Sequence, residues 1–396
     1  MDMFRRTFAE VNLDHVAHNF EVLKAAFPNT SFLCPMVKAN AYGHGDVAIA
    51  LCLQQAGARH LGVCLIEEAL LLRRGGVTAN ILVFRGFDRE GAEQLLANNL
   101  TPVVSTWDQL EALEEMAKTP VKIHLKFNTG MNRLGFSIEE AEKLFDKCWR
   151  HPKIQVEGVL THLFNGEDAD ELDGDSADQL GKFLRILLVF KPLNPLNHSL
   201  NSAGILNALI VREQKNPQHI LNQVQWGLRP GLMVYGFNPL KRQDILPLKP
   251  VMTLKSVAST YRMLKVGEVV SYGGTWKAKR DSVVAIVPIG YADGYHRILS
   301  NKAEVLFNGY KVPVVGTICM DFLMVDVTDA IHGCDLNDLR DKEIILFGKS
   351  DQGQFISAEE LAHRAQTITW EILTSVGERV PRVYVGDWAK RLGVAN

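Results

Sequence analysis

The chain has 396 residues, of which 47% are hydrophobic and 22% charged, and its formal net charge is −2. Such a length accommodates two or three domains and buries a large core without disulfide staples. The balanced charge argues against global attraction to nucleic acid or an anionic membrane, while a local basic pocket for one phosphate stays open.

From about residue 14 to residue 240, short apolar runs alternate with longer amphipathic segments. Residues 31–37, 61–64, 81–84, 102–104, 121–127 and 156–161 read as strands. Segments 46–57, 66–74, 89–98, 106–118, 137–150 and 178–190 read as helices between them. Continuous β runs alternating with helices imply parallel strands covered on both faces. So many units in series favour an α/β fold of the (β/α)8 TIM-like barrel type over an open doubly wound sheet, which periodicity alone does not exclude. The barrel is expected over residues 1–245. Pro247 and Pro250 mark a change of texture. Residues 246–396 read as a C-terminal, mostly antiparallel β domain with short runs at 252–262, 269–272, 282–289, 302–307, 311–315, 322–327, 343–347 and 380–385. Asn308-Gly309 is a strong hairpin signal, and one helix is expected at 357–365. The acidic stretch 167–178 reads as a solvated loop.

Six cysteines, at 34, 52, 64, 148, 319 and 334, form no Cys-x-x-Cys pair and no zinc-ligand spacing. Buried thiols in a reducing compartment are expected, and no metal. The first residues run into polar sequence without an apolar leader core, and the greasiest stretch, 183–190, is short and carries Arg185. A cytoplasmic location without membrane contact is therefore expected.

The most informative segment is Val37-Lys38-Ala39-Asn40-Ala41-Tyr42-Gly43-His44-Gly45. Lys38 ends an apolar strand, and the carboxyl ends of barrel strands form the active-site face. A lysine there ordinarily snorkels to solvent. A Schiff base to an aldehyde cofactor is the chemical alternative. Tyr42 places a phenol close by, and two glycines permit close backbone approach to a ligand.

This segment resembles the pyridoxal-phosphate attachment motif of alanine racemases. Similar matches run through Asn128-Thr129-Gly130-Met131-Asn132-Arg133, Thr161-His162, Asn201-Ser202-Ala203 and Leu228-Arg229-Pro230-Gly231-Leu232. They continue in Ser271-Tyr272-Gly273, Gly290-Tyr291-Ala292-Asp293-Gly294 and Gly316-Thr317-Ile318-Cys319-Met320-Asp321. The resemblance implies a barrel followed by a β domain, pyridoxal 5'-phosphate as cofactor, and interconversion of L- and D-alanine, supplying D-alanine for peptidoglycan. It makes Lys38 the aldimine lysine and the D-side base, and Tyr272 the L-side base, reaching the site from the other subunit of a homodimer with shared active sites. It puts Tyr42, Ser202, Gly231 and Leu232 on the cofactor phosphate. Arg229 then meets the pyridine nitrogen, where many pyridoxal enzymes place a carboxylate. An arginine only donates, so it disfavours a protonated ring nitrogen and suits rapid reprotonation. A phenol with an ordinary pKa of ~10 needs cationic help to act as a base, which a chain of His162 and Arg229 would provide.

Arg133 matches an arginine on the cofactor's phenolic oxygen, placed for the substrate carboxylate. Lys126 matches a lysine often carbamylated in the family. Met320 and Asp321 match residues near the substrate carboxylate, and Tyr291 one at the substrate entrance. Two positions depart from the family: Asn128 stands where Asp is usual, and Trp370 where a phosphate-binding tyrosine is usual. Trp370 keeps one N–H donor there but is bulkier and cannot act as a hydroxyl. A broader racemase acting on serine is the nearest alternative. A same-fold decarboxylase is disfavoured by Arg229, and a non-catalytic cofactor carrier by the second domain.

Overall fold

The computed structural model describes residues 4–168, 174–240, 245–331 and 336–395, except the side chain of Asn337. The chain divides into two compact units. One consists of His15–Ala41 and Asp46–Lys249, the other of the segment up to Asp14, Tyr42–Gly45 and the chain from Pro250 onward.

The first unit is the (β/α)8 barrel. His60–Val63, Asn80–Val83, Thr101–Val104, Val121–Lys126, Ile154–Leu160 and Leu196–His198 form a parallel sheet in that order. The first strand position, at Leu33 and Met36, and the eighth, at Leu228, close the ring through parallel bridges Met36–Gly62, Leu33–Leu228 and Leu200–Leu228, so the six strands above are the second to the seventh. Backbone bonds from Val37 N to Gly62 O (2.8 Å), Cys34 N to Leu228 O (2.9 Å) and Arg229 N to Leu200 O (2.9 Å) seal it. Strands such as Thr101–Val104 are buried throughout, as strands covered on both faces must be. Side-chain caps start the covering helices: Asp88 accepts from Gly91 N, Thr106 from Gln109 N and Asn201 from Gly204 N. Phe32, Cys34, Leu82, Val103 and Leu160 fill part of the interior.

The acidic stretch is more ordered than expected at both ends. Gly166–Asp168 is a 3₁₀ turn and the next helix, Asp175–Phe190, starts earlier than the pattern suggested. Residues 169–173 of that stretch lie outside the described residues.

The second unit is β-rich. One sheet runs Tyr310–Pro313, Glu304–Phe307, Glu343–Lys349, Met252–Val257, Phe8–Asn12, Arg382–Val385. All its neighbours are antiparallel except the last pair. A second antiparallel sheet joins Leu323–Asp326, Ser282–Val287 and Thr260–Leu264. Asn308 and Gly309 (φ 48° and 83°) make the tight turn that their sequence announces.

Two expectations need correcting. Residues 1–14 were expected with the barrel, yet Phe8–Asn12 pairs on both edges inside the β unit, where its backbone donors find partners and its alternate residues are buried. One C-terminal helix was expected, and it runs Ala358–Ala365, capped by Ser357. Thr369–Ser375 and Asp387–Arg391 are helices as well, short enough to carry little periodic signal.

Cys34, Cys52 and Cys148 are buried, Cys64 and Cys319 half-buried, and Cys334 lies outside the described residues. Among the described residues no helix is long and apolar enough to cross a membrane, and no three His, Cys, Asp or Glu side chains gather as a metal site.

Candidate active site

Lys38 follows the first barrel strand and opens a turn that runs left-handed. Ala39, Asn40, Ala41 and Tyr42 have φ of 53°, 53°, 50° and 54°. Each such residue other than glycine costs about 1–2 kcal/mol. The turn persists because other groups hold it. The Glu68 carboxylate accepts from Ala39 N (2.6 Å), Cys64 N (2.7 Å) and Leu65 N (3.0 Å). Asn40 Oδ1 accepts from Asp46 N at 3.0 Å, and Ala41 N donates to Val37 O at 3.0 Å.

Gly43 and Gly45 were expected to let a ligand approach. Within the β unit their missing side chains instead admit protein: a Cβ at Gly43 would collide with Leu373 O, and one at Gly45 with the Tyr384 hydroxyl. The Tyr42 phenol is buried, which raises its pKa.

The carboxyl ends of the barrel strands gather most of the remaining residues. Lys126 ends Val121–Lys126, His162 follows Ile154–Leu160, Ser202 follows the seventh strand, and Arg229 and Gly231 follow the eighth. Burial, then the charges of Arg133, Arg229 and Lys38, brings the Lys126 pKa down to about 8. Burial, then Arg229, Lys126, Arg133 and Lys38, holds His162 well below the ordinary histidine value. The barrel end is therefore a cationic face suited to anionic groups.

Arg229 is its best-anchored member. Nη1 donates to His198 O (2.6 Å) and His198 Nδ1 (2.7 Å); Nη2 donates to Thr161 O (2.7 Å), His162 Nδ1 (3.2 Å) and Ser199 O (3.2 Å). All these partners are neutral acceptors, and none of the bonds uses Nε. Burial lowers the Arg229 pKa to about 10, so the group is still a cation at neutral pH. Because arginine cannot accept, His162 receives at Nδ1 and carries its proton on Nε2. His162 is thus a neutral link in the expected chain, and the positive charge resides on Arg229.

Ser202 heads the helix Ser202–Gln214, and its Oγ accepts from Gly231 N at 3.0 Å, leaving its own O–H to donate. Leu232 opens the adjacent 3₁₀ turn Leu232–Tyr235. Two helical N-termini and a buried hydroxyl fit a phosphate. The Gly231 amide, expected on the phosphate, is engaged by Ser202.

Arg133 is exposed on the loop after the fifth strand. Asn128 shapes that loop: its Oδ1 accepts from Gly130 N and Asn132 N, and its amide donates to Asn132 Oδ1 at 2.9 Å. An aspartate could not make the last bond, which gives this departure from the family a structural reason.

The other predicted residues belong to the β unit. Tyr272 is 72% exposed and opens the turn Tyr272–Gly274, its carbonyl held by Thr317 Oγ1 at 2.9 Å. Tyr291 N donates to Cys319 O and Ala292 N to Met320 O, tying residues 291–292 to residues 319–320. Asp321 pairs with Arg379 at 2.7 Å. Tyr272, Tyr291 and Met320 are all exposed, with Met263, Val266, Val269 and Phe322 also exposed on this unit. Trp370 is half-buried in Thr369–Ser375.

The sequence reading missed Glu68, His124, Glu157 and His198. A signal existed for His124: Lys122, His124 and Lys126 alternate along one strand, so they share a face.

Residues 11–239 match the family described as alanine racemase, N-terminal domain, and residues 251–384 the alanine racemase C-terminal domain. An alanine racemase of Sorangium cellulosum is 39% identical over 96% of this chain and 99% of its own length. The crystal structure of alanine racemase from D-cycloserine-producing Streptomyces lavendulae is similar with a TM-score of 0.84 at 32% identity, covering 97% of this chain and 98% of the other. The alanine racemase of Bartonella henselae, solved with covalently bound pyridoxal phosphate, gives a TM-score of 0.80 at 30% identity over 96% and 99% of the two chains.

Proposed function

The chain belongs to the alanine racemase family, and from that premise we propose that it interconverts L- and D-alanine with pyridoxal phosphate and supplies D-alanine for cell-wall synthesis in the cytoplasm. The observation that carries this reading is the cationic barrel end built around Arg229, a buried guanidinium with neutral partners.

The residues fit the cofactor. Ser202 and the Leu232 amide would hold the phosphate. Arg229 would donate to the pyridine nitrogen and leave it unprotonated. Lys38 would hold the aldehyde carbon. When bound, the cofactor supplies the electron withdrawal that makes the substrate α-proton removable.

The chain's own groups do the rest. Arg133 binds the substrate carboxylate, and its exposure leaves it open to an incoming ligand. The Lys38 amine takes or returns the proton on the D face. The Tyr272 phenol does so on the L face, where Arg229 acting through neutral His162 favours its anionic form. Tyr272 stands on an exposed, partly apolar patch, so it acts from a second copy of the chain, with Tyr291, Met320 and Asp321 lining the same side. The active species is a homodimer with two shared sites.

The test begins with borohydride reduction of the purified protein, followed by peptide mapping and chiral assay of alanine and serine. Label on Lys38 with alanine as the faster substrate supports the reading. Label on another lysine, or faster turnover of serine, overturns the assignment concerned. Mixing Lys38→Ala with Tyr272→Phe chains should restore partial activity, since one site of the mixed dimer holds both bases. Continued inactivity after verified exchange refutes shared sites.

A further inference from the structure

Arg229 is bonded toward the barrel interior as well as toward His162. Its Nη1 meets His198 Nδ1 at 2.7 Å, His198 Nε2 meets His124 Nδ1 at 2.7 Å, and His124 Nε2 lies 3.5 Å from Glu157 Oε2. Glu157 Oε1 takes the Lys122 ammonium at 2.6 Å. His124 and His198 are fully buried, with Phe32 stacked on His198 at 4.2 Å. The other titratable groups around this line are His60, whose ring lies 4.8 Å from Phe32, and the Cys34 thiol.

The donor directions follow from one fact. Arginine only donates, so His198 must accept at Nδ1 and carry its proton on Nε2. That proton leaves His124 to accept at Nδ1, with its own proton on Nε2, facing Glu157. All the dipoles then run from the cation at one end to the carboxylate at the other. A buried cation with purely neutral neighbours is costly.

Resting on the racemase reading above, we propose that Glu157 is the remote counter-ion of Arg229. It acts through His124 and His198: its charge faces the last N–H of the line that Arg229 sets, and so helps hold the guanidinium in place for the pyridine nitrogen. Glu157 is in this sense a positioning residue. Desolvation holds His198 and His124 below the ordinary histidine value, consistent with neutral links. Lys122 keeps the carbonyl oxygen of a glutamine at 157, because an ammonium only donates, and this turns the glutamine NH2 toward His124 Nε2. His124 would then carry a proton on Nδ1, facing the His198 proton across 2.7 Å, and the series of bonds would break.

Long-range ¹⁵N–¹H spectra of histidine-labelled protein read the tautomers directly, with His124 and His198 assigned by single replacement. In the unsubstituted chain both should carry the proton on Nε2. Glu157→Gln should move His124 to a mixture of tautomers and weaken pyridoxal-phosphate binding by roughly three- to tenfold, the size of coupling expected within one bonded network. Lys122→Met removes the outer partner of Glu157 and should change neither. A proton on His198 Nδ1 in the unsubstituted chain, or identical tautomers in Glu157→Gln, overturns the proposal, and so does a tautomer change without loss of cofactor affinity. The tautomer spectra need no cofactor, so a chain that failed to bind pyridoxal phosphate would refute the racemase reading separately.

Discussion

Replacing Glu68 by alanine tests how the lysine turn is held. The residues after Lys38 include four in left-handed conformation, an opposing cost of about 4–8 kcal/mol, with Asn40 at the cheaper end. Glu68 answers with three bonds, to the amides of Ala39, Cys64 and Leu65 at 2.6, 2.7 and 3.0 Å. A hydrogen bond to a charged group contributes about 1.5–3 kcal/mol. Glu68 is only half-buried, so water replaces part of what is lost, and a local cost of about 2–4 kcal/mol remains. At tenfold per 1.36 kcal/mol, amide hydrogen exchange at these three positions should accelerate by about 30-fold or more. Racemase turnover should fall by about one to two orders of magnitude, because displacing the neighbouring Lys38 amine by an ångström is that costly. Glu68→Gln keeps one oxygen acceptor and should fall between. Ala39→Gly removes about 1–2 kcal/mol of backbone cost and should partly rescue Glu68→Ala. Unchanged exchange at Ala39, Cys64 and Leu65 in Glu68→Ala would refute this account of the turn.

Tyr272→Phe should slow solvent exchange of the L-alanine α-proton steeply while D-alanine exchange persists through Lys38; equal losses measured by deuterium uptake would remove the two-base assignment. Burial lowers His60 to about 4 and also depresses His124, His162 and His198, so the unfolded chain binds these protons more readily. Stability should be fully present above the unfolded histidine pKa of about 6.5 and decline as pH falls toward about 4. Glu157, held down to about 2 first by the His124 ring beside it, should lose its contribution only as pH falls from the unfolded carboxylate range through about 2. Unfolding midpoints at pH 7.5 and pH 5, flattened in His60→Gln, check this window. Lys126, with a pKa of about 8, should be substantially neutral amine at pH 8 and form a carbamate with ¹³C-labelled bicarbonate; a signal that survives in Lys126→Gln places the reaction elsewhere.

The sequence by itself determined what depends on local pattern. Alternating apolar runs and amphipathic segments specify strands and helices in order, and many such units in series favour a barrel, though ring closure itself is not written in the periodicity. Asn308-Gly309 specifies its own hairpin, because both residues tolerate positive φ. Lys38 was legible as chemistry because a cation at the end of an apolar strand is locally anomalous, and the surrounding motif sharpened it. What only the tertiary structure decided are relations between distant positions. The left-handed turn after Lys38 contains two alanines that prefer the opposite hand, and Glu68, remote in sequence, supplies one of the bonds that oppose that preference. Phe8–Asn12 looks like any half-buried strand until Arg382–Val385 pairs with it. Gly43 and Gly45 read as ligand glycines, but Leu373 and Tyr384 pack where their side chains would be. His124 and His198 meet at 2.7 Å although 74 positions separate them, and Arg229 joins them only once the eighth strand has closed the ring. Periodicity encodes which face a residue takes; barrel closure decides which residues then share the interior, and there a buried arginine dictates the protons of its neighbours because it can only donate.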